Sequence, residues 1–206
     1  MGKILELLVS FDDDGLLAEV QTQLDAGTAP ASILAECQDA MVDIGNRFSA
    51  GDLFVSDLMM AGMMFKQVST LISPLLTDAS AESAGKVVLG TVQGDIHDLG
   101  KDIVNMILAT AGFEVIDLGV DVAPDAFVAC LQESGAKVLA LSCLLVTCYD
   151  ALKETVEAVD AAGLRSTVKI IIGGGPIDDT VVAFFGADTW GLAAQDAVTF
   201  CKEVYA

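Results

Sequence analysis

The one histidine of the chain, His97, stands in the segment GDIHDLG, between an apolar run and a stretch with helical spacing. Asp95 precedes it by two residues and Gly100 follows it by three. Imidazole is a common metal ligand, and its second ring nitrogen usually donates to a carboxylate or carbonyl, which fixes the tautomer. The pattern fits a metal ligand with Asp95 as its hydrogen-bond acceptor. The competing interpretation is an ordinary surface or partly buried histidine.

Two later segments also carry residues of functional interest: SCLLVTCYD, which begins at Ser142, and GGGP, at residues 173–176. Ser142 could form only a local hydrogen bond, and the glycines could form only a turn. The functional alternative is that the missing Cβ atoms let a flat or extended ligand approach the backbone. Neither a G-x-G-x-x-G fingerprint nor a Walker phosphate loop is present.

A zinc site is a further possibility, because Cys143 and Cys148 could join His97. Zinc sites favour closer ligand spacing and three or four protein ligands. A single histidine with little else of metal-ligand type is better suited to a metal that brings most of its own ligands.

The elements that must position these segments are short β-branched runs alternating with helical patterns. We predict strands at 86–92, 113–119, 136–142 and 168–174, with a weak fifth at 187–190. We predict helices at about 101–111, 124–134, 150–162, 178–185 and 193–204. This alternation is typical of a flavodoxin-like, doubly wound parallel sheet with strand order 2-1-3-4-5. Ligands bind such sheets at the carboxyl ends of the strands, so the three segments are expected along one edge.

The first 76 residues have a different pattern, without strand-like alternation, and predict four helices that form a small bundle. Gly27 and Gly51 end two of these helices, Pro30 lies near a first turn, and Ser56 is the expected N-cap of the last. The last helix also contains methionines at i, i+4 spacing that are most simply bundle core: Met59, Met60, Met63 and Met64. Residues 77–85 are small and polar and predict a linker between domains at 1–80 and 86–206.

Composition excludes several classes of function. The net charge of −20, from 30 acidic and 10 basic residues, argues against a nucleic-acid partner. The longest unbroken apolar run is far too short to cross a bilayer. Five cysteines without a C-x-x-C pair predict reduced thiols, and no signal-peptide pattern is present, so we expect a cytoplasmic protein.

The three segments together resemble a known signature. DIHDLG at 95–100, SCL at 142–144 and GG at 173–174 resemble the DxHxxG…SxL…GG pattern of cobalamin-binding domains, at matching separations. RFSAGDLFVSDLMMAG resembles the helical cap module found beside such domains, so the resemblance covers nearly the whole chain. The chain resembles in particular the small corrinoid carrier proteins of anaerobic methyltransferase systems, which share the cobalamin-binding unit of methionine synthase.

The resemblance implies a role for each matching residue. His97 would replace the cofactor's own base as the lower axial ligand of cobalt (base-off, His-on), with Asp95 as its hydrogen-bond partner. The displaced nucleotide tail would enter a slot beside the sheet. The cofactor-binding residues implied are Gly94, Asp95, Ile96, His97, Asp98, Leu99, Gly100, Ser142, Leu144, Thr147, Gly173, Gly174, Gly175, Trp190 and Gly191. Family members often continue the Asp–His relay to a hydroxyl, whereas this chain has Cys148 at one such site, with Thr147 beside it. A thiol is a weaker hydrogen-bond partner, so the alternatives are that the relay ends at Asp95, uses Thr147 or uses Cys148.

The function implied is that of a methyl carrier. Such a carrier accepts a methyl group on cobalt(I) from a substrate-specific methyltransferase and gives it to a second methyltransferase serving tetrahydrofolate or coenzyme M. A reductive activator is the third expected partner, and the carrier has no complete activity alone. The methyl donor is left open among methoxyaromatics, methylamines, methanol and thiols. The alternatives are the cobalamin subunit of an adenosylcobalamin mutase and a cobalamin sensor or store.

Overall fold

The computed structural model describes residues 2–75, 83–175, 177 and 179–206. The chain divides into two compact units, called here the helical unit (1–83 with 110–112) and the α/β unit (84–109 and 113–206). Most of the predicted linker, at 77–82, lies outside the described residues, as do Pro176 and the predicted helix start at residue 178. The domain limits at 80 and 86 therefore stay a prediction.

The helical unit contains four α-helices within residues 2–75, as the sequence predicts: α1 (Lys3–Val9), α2 (Asp13–Asp25), α3 (Pro30–Ser49) and α4 (Val55–Ile72). Glycines in the left-handed region follow α2 and α3, Gly27 at φ 84° and Gly51 at φ 83°. The Asp12 side chain caps α2 by accepting the Gly15 N–H at 3.0 Å. No helix of the described residues has the length and apolarity that a membrane span requires.

Two predictions for α4 are wrong. Ser56 is not its N-cap, because the helix begins at Val55 and the Asp57 carboxylate accepts the Phe54 N–H at 2.8 Å. The methionines are not all core. Met64 is buried, whereas Met59, Met60 and Met63 are 46–59% exposed. Spacing of i, i+4 places these side chains on neighbouring parts of the helix surface. It does not determine how much of that surface is buried.

The α/β unit alternates strands and helices: β1 (Lys86–Thr91), α5 (Leu99–Thr110), β2 (Glu114–Asp117), α6 (Pro124–Ser134), β3 (Val138–Ser142), α7 (Tyr149–Ala161), β4 (Lys169–Gly173), α8 (Asp179–Phe185), β5 (Thr189–Gly191) and α9 (Ala194–Tyr205). The strands form one parallel sheet in the order β2-β1-β3-β4-β5. The predicted flavodoxin-like topology is confirmed, with β5 as a strand of only three residues.

Burial explains why three strands are easy to recognise. β1, β3 and β4 are buried along almost their whole length, while the edge strands β2 and β5 are only partly buried. A central parallel strand is covered on both faces and is therefore continuously apolar. The core of the unit includes Val88, Leu139, Ile170, Phe127 and Leu152.

Tyr205, at the end of α9, forms hydrogen bonds with the backbone at the amino end of the sheet. Its hydroxyl donates to the Lys86 carbonyl at 2.5 Å and accepts the backbone N–H groups of Lys86 and Lys137 at 3.1 and 2.9 Å. Gly85 makes room for the ring, because a Cβ there would lie 2.6 Å from the Tyr205 ring atoms. One phenol thus satisfies backbone groups at the starts of β1 and β3.

Candidate functional site at the carboxyl edge of the sheet

The carboxyl ends of four strands lie level across the sheet. Thr91 of β1 pairs with Ser142 of β3, which in turn pairs with Gly173 of β4. Gly173 pairs with Gly191 of β5. The three segments recognised in the sequence begin at or directly after these residues, beside the reversal of strand order between β1 and β3. The structure therefore brings them to one edge.

Asp95 and His97 make direct contact in the β1–α5 connection. His97 Nδ1 lies 2.6 Å from Asp95 Oδ1, and the His97 backbone N–H donates to the same oxygen at 3.1 Å. The Asp95 side chain is completely buried, whereas 48% of the His97 side chain is exposed. The imidazole is thus held at one nitrogen, and Nε2 is the nitrogen available to a ligand.

The charge of Asp95 decides which ring nitrogen carries the proton. Burial alone raises the pKa of this carboxyl, but hydrogen bonds from His97, Leu144 and Leu145 outweigh that effect and lower it to about 2. An ionised carboxylate only accepts hydrogen bonds, so Nδ1 must donate. In the neutral ring, Nε2 then has a free lone pair, which is the form that ligates a metal.

The second oxygen of Asp95 is bound by backbone groups. Asp95 Oδ2 accepts the N–H groups of Leu144 and Leu145 at 2.6 and 3.1 Å. Thr147 Oγ1 instead lies 4.0 Å from Cys148 Sγ. The second oxygen of Asp95 is thus bound by amides of the β3–α7 connection. Whether the relay ends at Asp95 or continues to Thr147 or Cys148 stays a prediction.

Three residues that hold this segment were missed by sequence reasoning. The Thr91 hydroxyl donates to the His97 carbonyl at 3.1 Å. The Leu145 amide holds Asp95, and Asp121, in the β2–α6 connection, accepts the Gly94 N–H at 2.7 Å and donates its own N–H to the Asp95 carbonyl at 3.0 Å. Leu145 acts through its backbone N–H and Asp121 partly so, and a backbone group carries no sequence signal. Asp121 also lies in a segment with no recognised motif.

Helix α5 starts from this segment and is anchored by a buried lysine. The Asp102 N–H donates to the Asp98 carbonyl at 2.8 Å as the helix begins. Lys101 Nζ lies 2.6 Å from Asp102 Oδ1 and 2.5 Å from Asp117 Oδ2, with only 3% of its side chain exposed. Burial lowers the pKa of Lys101, but the two carboxylates outweigh it and raise the pKa. This ion pair ties the first turn of α5 to the end of β2.

Apolar side chains lie exposed around the same edge. In the GDIHDLG segment they are Ile96 and Leu99, at 72% and 58% exposure, and in the β3–α7 connection they are Leu144, Leu145 and Val146, at 38–61%. Exposed apolar side chains concentrated beside a half-exposed imidazole are typical of a binding surface for a largely apolar ligand.

The glycines differ in why they are needed. Gly94 has φ 85°, and a Cβ on it would lie 3.4 Å from Cys148 Sγ. Gly174 and Gly175 have φ 103° and 135°, and a Cβ on Gly175 would lie 2.6 Å from the Leu144 carbonyl oxygen. These two therefore allow the β4–α8 connection to pack on the β3–α7 connection. Around Gly100 the space is open, with no atom within 4 Å of a built Cβ.

Trp190 and Gly191 lie at the far end of this edge. β5 is separated from β1 by β3 and β4, which places it roughly 14 Å away at ordinary strand spacing. Trp190 Nε1 donates to Asp179 Oδ1 at 2.7 Å, next to the start of α8. The structure thus groups Trp190 and Gly191 with Gly173 and away from His97.

Models of two B12 binding domains match this chain, one over residues 85–198 and the other over residues 2–72. The first alone covers more than half of the sequence. The chain belongs to the B12-binding family. Its cofactor is accordingly a cobalamin or related corrinoid, as the three segments of the α/β unit led us to expect.

Individual relatives are similar to this chain over most of their own length. A corrinoid protein of Desulfitobacterium hafniense (strain Y51) is 38% identical over 164 residues, 78% of this chain and 76% of the relative. A trimethylamine corrinoid protein of Methanosarcina barkeri is 35% identical over 206 residues, 98% of this chain and 94% of the relative. A cobalamin-binding protein from D. hafniense DCB-2, with a crystal structure at 1.5 Å, has TM-score 0.82 and 32% identity, covering 98% and 96% of the two chains.

The donor chemistry of the B12-binding domain fits a corrinoid. Within the described residues, no three His, Cys, Asp or Glu side chains are grouped as a metal site would require. One imidazole with a free Nε2 suits a metal already bound by a macrocycle, and the exposed apolar side chains beside it suit the face of that ring. His97 would hold the metal, and the apolar residues of the two connections would contact the macrocycle.

Proposed function

We propose that this B12-binding protein is a methyl carrier that works between two methyltransferases. The observation that carries the proposal is the Asp95–His97 pair, in which a buried carboxylate contacts Nδ1 of a half-exposed imidazole and leaves Nε2 to the cofactor. The relative from M. barkeri, named as a trimethylamine corrinoid protein, supports a role in methyl metabolism. The corrinoid, when bound, supplies a cobalt centre that takes up and releases a methyl group.

The chain's own residues bind, orient and tune that centre. His97 is proposed as the lower axial ligand through Nε2, in the base-off, His-on mode. Asp95 keeps the ring in the Nδ1–H form and holds its plane, because the Leu144 and Leu145 amides fix the carboxylate. Asp95 would keep Nδ1 protonated whether or not Nε2 holds a metal, because the carboxylate accepts from Nδ1.

The nucleotide tail of the cofactor is proposed to lie along β3, β4 and β5. The level register of Ser142, Gly173 and Gly191 supports this, because two of the three positions have no side chain. Leu144, Thr147, Gly174, Gly175 and Trp190 border the same stretch in our assignment. Gly94, Ile96, Asp98, Leu99 and Gly100 are assigned to the corrin side, around His97.

The partners proposed are a substrate-specific methyltransferase and a second methyltransferase that serves tetrahydrofolate or coenzyme M. A reductive activator is the third. The carrier brings one group to several catalytic surfaces, so donor specificity is expected in the partner. Methylamines are the first donor class to test, since a relative carries trimethylamine in its name.

Absorption spectra of protein reconstituted with cobalamin test the axial assignment. The wild type and Gln93→Ala, an exposed polar residue of the same connection, should both give base-off, His-on spectra. His97→Ala should lose the histidine-dependent features while remaining folded. Identical spectra for His97→Ala and the wild type would remove His97 from the metal.

Methyl-transfer assays test the function itself. The reduced holoprotein is incubated with methylamine, methanol, methoxyaromatic and thiol donors, each with its methyltransferase. Transfer from one class to tetrahydrofolate or coenzyme M supports the carrier. The alternative is the cobalamin subunit of an adenosylcobalamin mutase, and tight binding of adenosylcobalamin that supports a carbon-skeleton rearrangement would favour it.

A further inference from the structure

Asp121 holds the segment before His97 with two separate hydrogen bonds. Its Oδ1 accepts the Gly94 N–H at 2.7 Å, and its own N–H donates to the Asp95 carbonyl at 3.0 Å. The main chain of Asp95 is therefore held by the β2–α6 connection, and its side chain is held by the β3–α7 connection.

The backbone of Asp121 is in an uncommon conformation. Its φ is 54°, in the left-handed region. Residues other than glycine seldom adopt this region, and aspartate and asparagine tolerate it best among them. Such conformations persist where surrounding contacts impose them. Here the next residue is also fixed, because the Val122 N–H donates to the Thr91 carbonyl at 3.0 Å.

These contacts form a continuous path to the imidazole. Asp121 fixes Gly94 and the Asp95 main chain, and Asp95 fixes the His97 ring and its backbone N–H. Thr91, whose carbonyl accepts Val122, also donates its hydroxyl to the His97 carbonyl. Movement of Asp121 would therefore shift the carboxylate on which the ring depends.

We propose that Asp121 is a positioning residue for the His97 imidazole, setting the ring orientation that cobalt ligation requires. This proposal rests on the proposed function only for its last step, the ligation. The orientation itself is a property of the protein without cofactor and can be measured there.

His97 is the only histidine, so its ring nitrogens can be observed without assignment in a uniformly ¹⁵N-labelled chain. Long-range ¹H–¹⁵N correlation spectra at pH 8, without cobalamin, report how much of the ring carries its proton on Nδ1 and how much on Nε2. The wild type should be mainly in the Nδ1–H form, because Asp95 accepts from Nδ1.

Three variants separate the hydrogen bond from the backbone strain. Asp121→Asn keeps an oxygen acceptor and tolerates the left-handed region, so it should match the wild type. Asp121→Gly removes the acceptor without strain, and Asp121→Ala removes it with strain. Both should raise the ratio of Nε2–H to Nδ1–H about fivefold, the effect of one ordinary hydrogen bond. Cobalamin affinity of the same variants should fall by about the same factor.

Asp12→Ala is the matched control. Like Asp121, Asp12 is an aspartate whose side chain accepts one backbone N–H, but it lies in the helical unit and its partner is Gly15. It should lower the urea midpoint without moving the tautomer ratio. The proposal is overturned if Asp121→Gly and Asp121→Ala keep the wild-type ratio while folded, or if Asp121→Asn changes it as much as they do. Failure of the wild type to bind cobalamin would refute the proposed function and leave the tautomer result intact.

Discussion

Asp95 is a buried charge whose cost is met by neighbouring donors. Three backbone N–H groups and one imidazole N–H point at its two oxygens, as the pairing of buried ions requires. The residue therefore stabilises the folded protein only while it is ionised. This gives it a pH dependence of a defined sign.

Acid should remove that contribution. The pKa of Asp95 falls from 3.8 to about 2 on folding, so its stabilisation, on the order of 2 kcal/mol, is complete above pH 3.8 and is lost as pH falls through about 2. Asp95→Asn has no carboxyl to ionise and lacks this stabilisation. The difference in free energy of unfolding between wild type and variant should therefore be constant from pH 7 to 5 and become smaller below pH 4. Urea titrations at each pH measure it.

A difference that stays constant down to pH 2 would contradict the lowered pKa of Asp95. Asp188→Asn is a useful comparison, because its pKa is also lowered, by hydrogen bonds from Ile170, Arg165 and Lys169 that outweigh burial. The difference in free energy of unfolding between wild type and Asp188→Asn should also become smaller in acid. The ratio of His97 tautomers should not change.

Gly175→Ala should be strongly destabilising, by about 2–3 kcal/mol in urea unfolding. The new Cβ would meet the Leu144 carbonyl at 2.6 Å, and φ is 135°. Gly135→Ala is the control, since Gly135 also has positive φ, 66°, but open space around the Cβ. It should cost only about 1 kcal/mol. Equal losses of unfolding free energy in the two variants would mean that positive φ alone explains both, and that the contact with the Leu144 carbonyl adds nothing.

At the scale of elements, α9 is joined to β1 and β3 by the Tyr205 hydroxyl. Tyr205→Phe removes one donor and leaves the backbone N–H groups of Lys86 and Lys137 without this acceptor. The free energy of unfolding should fall by about 2 kcal/mol. Thr199→Val, on the same helix, removes only an in-helix bond to the Gln195 carbonyl and should change it by less than about 0.5 kcal/mol. Equal effects would show that the phenol contacts are weak.

The sequence predicts elements well where burial is continuous. β1, β3 and β4 are apolar runs because both faces are covered, and the observed order matches the one that the flavodoxin-like alternation of strands and helices predicts. β5 has three partly buried residues and gives a correspondingly weak signal. The start of α4 was misplaced because the acceptor is Asp57, inside the first turn, and not a residue before it.

The candidate site could be predicted in part. The contact of Asp95 with His97 follows from spacing, and the shared edge follows from topology. The amides of Leu144 and Leu145 could not be foreseen, because every residue has an N–H and only the fold decides which ones converge. For the same reason the sequence left open whether the relay ends at Asp95 or continues to Thr147 or Cys148. Asp121 lies 24 residues after His97, in a connection whose importance depends on which strand lies beside β1.

At the scale of the whole molecule, the net charge of −20 should make stability depend on salt. Self-repulsion among carboxylates opposes the compact state, and salt screens it. Raising NaCl from about 10 mM to about 500 mM should increase the free energy of unfolding by on the order of 1 kcal/mol. KCl at equal ionic strength should act identically, because screening does not distinguish the cations. A decrease would mean that attractive ion pairs outweigh the repulsion.

The Tyr205 contact also sets an order of events during protein synthesis. The hydroxyl that satisfies Lys86 belongs to a residue 119 positions later in the chain. At about 5–20 residues per second, a ribosome needs roughly 6–24 s to add that residue after Lys86. Throughout that interval the nascent β1 lacks its final partner, and the apolar strands of the unfinished sheet are exposed to other chains. Expression temperature and chaperone supply should therefore affect the yield of this protein more than its final stability suggests.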